Sequence, residues 1–212
     1  MKLVSVNVGR PRDVPWQGKI LHTGIFKSPV EGPVALRGHQ LDGDGQGNTD
    51  VHGGVDKAVY AYATEHYPYW RGELPEVDLP WGAFGENLST EGLLEENVRI
   101  GDVYRIGTTL LRVSQPRFPC SRLAMRMGRE DMVKRFLASL RSGIYFAVLE
   151  EGALAAGDAI RLEARAATPI TVRDVTRVVA GVADADLRRR CAALETLPQG
   201  LREQIARPEG RD

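Results

Sequence analysis

Cys120, one of two cysteines in the chain, stands in the stretch Gln115-Pro116-Arg117-Phe118-Pro119-Cys120-Ser121-Arg122. Pro116 and Pro119 each fix a backbone angle and withhold an N–H, so the approach to the thiol is stiff and non-helical. Arg117 and Arg122 bring positive charge to it, which favours the thiolate, the form that attacks electrophiles and binds metals. The same cysteine also reads as a small buried apolar residue, as unpaired cysteines usually are, and spacing does not separate the two readings. A second chemical candidate is the run 42–57, with five glycines and four aspartates in sixteen residues. A loop of that length inside a compact chain is either functional or disordered. The strand-like residues 58–62 directly after it argue for function. Glycines 43, 45, 53 and 54 permit the close backbone approach that anion-binding nests require. His52 lies among them, where a core role is hard to picture, and it could bind a ligand or donate a proton.

Other candidates carry a structural reading beside the chemical one. Lys27 and Ser28, after a strand, offer a charge and a hydroxyl to a phosphate, yet Lys27 alone reads as a solvated turn lysine. Asp44 and Asp56 read as turn residues that satisfy loop backbone. Asn87 and Ser89 suit ligand contact or the bracing of a loop. Tyr60 and Tyr62 read as packing, His22, His39 and His66 as surface residues, and Cys191 as core.

The elements that must position these residues are mostly short strands. Residues 2–8 alternate and stop at Gly9 and Pro11; 19–26 and 33–41 are further strand candidates. Thr64 could cap a short helix reaching Arg71, limited by Pro68. Residues 98–106 and 109–114 form a hairpin turning at Gly107-Thr108, and its second strand leads into the Cys120 stretch. Residues 123–140 carry helical spacing, with Gly143 as the C-cap. Residues 144–149 and 158–162 close the strand set. Many short strands with Gly and Pro turns suggest a closed or nearly closed barrel. After about Ala164 the composition changes to three short helices, 171–179, 184–194 and 198–206, capped at Thr171 and Asp184.

The chain has 212 residues, 42% hydrophobic and 26% charged, with 28 basic and 28 acidic side chains. Zero net charge argues against a general nucleic-acid or membrane-surface binder. No stretch is long and apolar enough to cross a bilayer. The N-terminus lacks a signal peptide's apolar core, so a reducing cytoplasm and free thiols are expected. The cysteines and four histidines lack paired zinc-ligand spacing.

Taken together, Lys27-Ser28, Gly43-Asp44-Gly45-Gln46, His52-Gly53-Gly54-x-Asp56-Lys57, Phe84-Gly85-Glu86-Asn87-Leu88 and Gln115-Pro116-Arg117-x-Pro119-Cys120 resemble the MOSC domain family. The order of these motifs and the helical tail look most like its stand-alone bacterial subgroup, called YiiM-like. The resemblance implies a mainly β fold, a barrel over residues 1–165 with a few short helices. A C-terminal three-helix domain over 166–207 and a tail, 208–212, would follow. It implies a molybdenum cofactor of the molybdopterin type, with Cys120 as the protein ligand to molybdenum and a catalytic residue together with His52. Lys27, Ser28, Arg37, Gly43, Asp44 and Gly45 would belong to the cofactor-binding set. His52, Gly53, Gly54, Lys57, Asn87, Ser89, Gln115 and Arg117 would complete it with Cys120.

The implied activity is reduction of N-hydroxylated small molecules, such as N-hydroxylaminopurine bases, to amines. The chain carries no iron–sulfur cysteine cluster and no flavin or nicotinamide fingerprint. A separate electron-donor protein, flavin or iron–sulfur, is therefore expected, with the helical tail as a docking element and the chain a monomer or homodimer. Two alternatives stand beside this. One is a carrier for the cofactor or for sulfur; the other is an enzyme using Cys120 as a nucleophile activated by His52 and a carboxylate.

Overall fold

The computed structural model describes residues 1–45 and 54–207 of the chain. Strand β1 (Lys2–Val8) is followed by the hairpin β2 (Arg12–Trp16) and β3 (Lys19–Thr23), then β4 (Ser28–Val30). The hairpin turns at Gln17 and Gly18, both at positive φ (49° and 73°), the two-residue geometry that matches strand twist. A second hairpin, β5 (Val34–Arg37) and β6 (Gln40–Leu41), precedes β7 (Val59–Ala63) and helix α1 (Tyr67–Glu73). Then come β8 (Leu88–Glu91), β9 (Val103–Ile106) and β10 (Thr109–Pro116), helices α2 (Ser121–Met127) and α3 (Met132–Ser139), and strands β11 (Ile144–Glu150), β12 (Gly152–Leu154) and β13 (Ile160–Ala164). Helices α4 (Val172–Val179), α5 (Ala185–Ala192) and α6 (Gln199–Ala206) end the described chain.

Eight strands make one sheet in the order β13-β9-β10-β11-β7-β8-β1-β4, with β7–β8 its parallel pair. The ladder does not close continuously. Instead β1 meets the approach to β13 through one bridge, Lys2 with Ala159, and the hydrogen bonds Leu3 N–H to Asp158 O (2.9 Å) and Gly157 N–H to Leu3 O (2.8 Å). The sheet thus curls round a core of Leu3, Val6, Leu88, Ile106, Leu111, Val113 and Phe146. A second, aromatic core forms on its outer face, where Tyr60 and Tyr62 pack with Trp70, Phe84, Leu123 and Phe136 beneath α1–α3.

Several sequence expectations shift in register or split. Strand 19–26 ends at Thr23, and the 33–41 strand folds back at Gly38 (φ 57°). β2 is hidden in the sequence by Pro11 and Pro15, and proline in a strand reads as a breaker unless the strand is an edge. Residues 98–100 lie outside the β9–β10 hairpin; Arg99 makes a lone bridge to Thr171. The helix expected over 123–140 is two helices. Gly128 at φ 66° ends the first, and Leu140 at φ 57°, rather than Gly143, ends the second. Pro68 sits in the first turn of α1, where its missing N–H costs nothing, so the helix continues to Glu73.

Gly143 has a different task. A Cβ there would lie 2.6 Å from the Ala61 carbonyl oxygen, at φ 69°. Gly143→Ala is expected to cost about 2–3 kcal/mol through backbone strain and overpacking, measurable by chemical denaturation.

The C-terminal helices follow the sequence closely. Thr171 and Asp174 form a reciprocal capping box on α4, and Asp184 caps α5 through Leu187 N–H (2.8 Å). Their apolar faces are not a separate core. Val172, Val175, Val178, Cys191, Leu201 and Ile205 join the same buried cluster as the strands, so packing is continuous across residue 165.

Candidate functional site

Strand β10 delivers the Cys120 stretch, and its end is locally irregular. The β10–β11 register shifts between Val113 and Gln115, a bulge of the kind that re-aims side chains beside sites. Ser114 on that bulge donates to the Asp56 carbonyl (2.6 Å) or the Tyr145 carbonyl (2.9 Å), pinning the short 3₁₀ turn Val55–Lys57 against the strand. Arg117 then turns inward, 5% exposed, its guanidinium 5.6 Å from the Tyr60 ring centre and 5.2 Å from that of Phe136. Burial works against its charge, but Tyr60, Cys120 and Tyr145 hold its pKa above the ordinary value. Cys120 itself is half-buried and occupies the N-cap position of α2 in extended geometry.

Cys120 borders two cavities. The smaller, about 110 Å³, is lined by Lys27, Asp44, Gly45, Asn87, Arg117 and Tyr60, among others. Its polar floor is a network. Asp44 accepts from Lys27 and from Gly9 N–H (2.9 Å) through one oxygen, and from Asn87 Nδ2 (2.8 Å) through the other. Burial lowers the Lys27 pKa and the Asp44 carboxylate opposes that fall. Asn87 also accepts from Tyr60 N–H (3.1 Å), which ties loop 82–87 to β7. Beneath it Glu86, fully buried, accepts from Gly82 N–H (2.8 Å), Phe84 N–H (3.1 Å), the Ser89 hydroxyl (2.9 Å) and Tyr67. Burial nevertheless pushes its pKa up, with those donors opposing.

The larger cavity, about 550 Å³, lies between the end of β10 with the turn Val55–Lys57 and helix α6. Gln115, Pro116, Pro119 and Val55 wall one side and Pro198, Gly200, Leu201 and Gln204 the other. Lys57, Phe118, Cys120 and Tyr145 line both cavities. Burial raises the Tyr145 pKa, with Arg117 opposing, so its phenol is protonated at neutral pH.

The structure therefore brings together Lys27, Asp44, Gly45, Asn87, Arg117 and Cys120, with Lys57, Gly54 and Gln115 on the larger side. Four expected cofactor-binding residues line neither cavity. Ser28 is exposed on β4, Arg37 is exposed beside Asp42 (3.8 Å), Gly43 forms a turn at φ 84°, and Ser89 lies buried under the loop on Glu86. His52 and Gly53 lie outside the described residues. Gly45 is needed by the chain itself, since a Cβ there would sit 2.3 Å from Pro11.

His66 corrects its surface reading: it is 7% exposed, with Nε2 2.7 Å from Glu95, whose other oxygen accepts from Gly143 N–H (2.6 Å). Sequence reasoning missed Phe118, Tyr145 and the α6 face as lining residues. Aromatic spacing in strands looks the same whether a ring fills a core or faces a cavity.

Two buried donors near Cys120 lack an acceptor among the described residues: Arg117 Nη1 and Gln115 Nε2. Buried donors are normally paired, so these two fit a bound group rich in acceptor oxygens and nitrogens. No cluster of three His, Cys, Asp or Glu side chains exists among the described residues. Two buried donors and one soft thiolate side by side suit a metal that brings its own organic ligand and takes a single sulfur from the protein. A molybdenum–pterin group meets both conditions, and the residues present fit it.

Comparison with known proteins bears on the family and the fold. A family model described as "MOSC domain" matches residues 48–161. A Bacillus subtilis (strain 168) protein, known as "Uncharacterized protein YflK", is 43% identical over 176 residues, covering 83% of this chain and 79% of that one. A protein named "Reductase" from Gibberella moniliformis is 39% identical over 180 residues, 84% of this chain but 32% of that longer protein. Among solved structures, YiiM from Geobacillus stearothermophilus superposes with a TM-score of 0.79 at 33% identity, covering 96% of each chain.

Proposed function

The chain belongs to the MOSC domain family, as a YiiM-like member, and from that premise we propose that it is a molybdenum-cofactor-dependent reductase of N-hydroxylated compounds. The observation that carries this reading is the position of Cys120, where two cavities meet beside two buried donors without acceptors. The name of the Gibberella relative supports reduction as the reaction class.

When bound, the cofactor supplies the two electrons that, with two protons, convert a hydroxylamine to an amine and water. The Cys120 thiolate anchors the metal. Arg117 donates to acceptor atoms of the bound group, and Lys57 places a positive charge beside both spaces. Tyr145, which lines both cavities, keeps a protonated phenol there as a hydrogen-bond donor for a bound acceptor. Electrons come from a separate flavin or iron–sulfur protein, and the reaction belongs in a reducing cytoplasm, where Cys120 stays a thiol.

Elemental mass spectrometry of protein made in a host able to build the cofactor tests the reading. Near one molybdenum per chain is expected in the wild type, and a fall of about tenfold or more in Cys120→Ser, as loss of a metal ligand exceeds the effect of its supporting residues. Well-folded wild-type protein without molybdenum overturns it.

A further inference from the structure

We propose that the larger cavity is the substrate chamber, that α6 is its outer wall, and that Gly200 and Gln204 on that wall set the size of substrate reaching Cys120. The chemistry of the occupant rests on the proposed function: a planar N-hydroxylated heteroaromatic compound. The volume, about 550 Å³, is in the range of small-molecule sites, whereas the cavity on the Lys27 side is about 110 Å³. The lining also suits a flat ring. Phe118, Tyr145, Pro116 and Leu201 present apolar surface. Gln115 is 4% exposed, and its Nε2 has no partner among the described residues. An amide donor held in an apolar wall matches a ring nitrogen or carbonyl acceptor of such a compound, and it costs free energy when no ligand meets it.

The α6 wall is rigid behind and open in front. Leu201 and Ile205 are buried in the main core, and the Ile205 carbonyl accepts from Arg188 Nε (2.9 Å) on α5. Gly200 and Gln204 lie one turn apart, so they share a helix face. A Cβ added at Gly200 meets nothing within 4 Å among the described residues, and its φ lies in the ordinary range. The position thus has room for a side chain that the fold does not require to be absent. The C-terminal helices are accordingly part of the site and not only a surface for an electron donor.

Cys120 reports on this wall without any cofactor. In metal-free protein, intact-mass kinetics compare its modification by iodoacetamide and by a pyrene maleimide, with the fully buried Cys191 as the unreactive reference. Gly200→Phe is expected to lower the maleimide-to-iodoacetamide rate ratio by about tenfold, the discrimination a filled pocket gives, with an unchanged melting temperature. Gly200→Ala should lower it far less. An unchanged ratio in a folded Gly200→Phe protein overturns the wall. In loaded protein, the same substitution should lower kcat/KM for a bicyclic N-hydroxylated purine relative to an acyclic N-hydroxyguanidine by a similar factor, at equal molybdenum content. An equal fall for both substrates overturns the size-selecting role. Wild-type protein without molybdenum would remove the reductase reading while the labelling ratio still decides the wall.

Discussion

Cys120→Ser is expected to fold at least as well as the wild type and to lose N-hydroxylamine reduction by roughly a thousandfold or more, equivalent to about 4 kcal/mol of transition-state stabilisation. The two halves of that result have separate causes. The Cys120 side chain makes no capping hydrogen bond to α2 although it holds the N-cap position. Serine is among the best N-cap residues, so the variant can gain up to about 1 kcal/mol from an Oγ bond to a first-turn N–H. The hydroxyl is a hard, weakly acidic ligand and does not replace a thiolate on a soft metal. A variant equal or higher in melting temperature but inactive separates a ligand role from a packing role, since loss of a buried apolar sulfur would lower stability. Retained turnover would remove Cys120 from the chemistry altogether. Turnover lost together with stability would favour the packing reading.

Part of the lining of the candidate site was legible in the sequence because chemistry-bearing residues cluster along the chain. The stretch 115–122 supplies Gln115, Arg117 and Cys120, and all three line the cavities. The tail was legible because caps are local: Thr171 with Asp174, and Asp184, fix helix starts whatever lies opposite. What was not legible depends on distant partners. Lys27 reads as a free cation until Asp44 is seen against it, and Ser89 reads as a ligand residue until Glu86 is seen beneath it. His66 reads as surface because its buried partner Glu95 is 29 residues away. The tail reads as a C-terminal domain of its own because no local pattern reveals that Leu201 shares a core with the strands or that its helix lines a cavity with Cys120. Gly128 and Leu140 divide one helical pattern into two helices, since apolar spacing persists across a left-handed break.

Asp44→Ala should cost about 3–5 kcal/mol, the usual penalty for removing one member of a buried ion pair. Lys27 and Asp44 side chains are 8% and 6% exposed, so water does not replace the lost carboxylate. Gly9 N–H and Asn87 Nδ2 lose their acceptor in the same step, and each orphaned donor adds to the cost. For a chain of this size that corresponds to a melting temperature lower by about 10–15 °C. The pH dependence identifies the cause. Burial already depresses the Lys27 pKa, and Asp44 is what chiefly opposes it, so the depression deepens in the variant. A lysine with a depressed folded-state pKa contributes stability that is present above its unfolded value and is lost as pH falls through the folded one. Raising the pH from 7 to 9 should therefore recover part of the Asp44→Ala deficit, because Lys27 sheds its proton, while the wild type gains less. Adding Lys27→Met to Asp44→Ala should recover stability at pH 7 by the same route and abolish the pH effect. A pH-independent deficit that Lys27→Met does not relieve would mean that the carboxylate acts through Gly9 and Asn87. Asp44 would then brace the junction of β1 with loop 82–87, and Lys27, no longer bound to a structural partner, would be available to an anion in the smaller cavity.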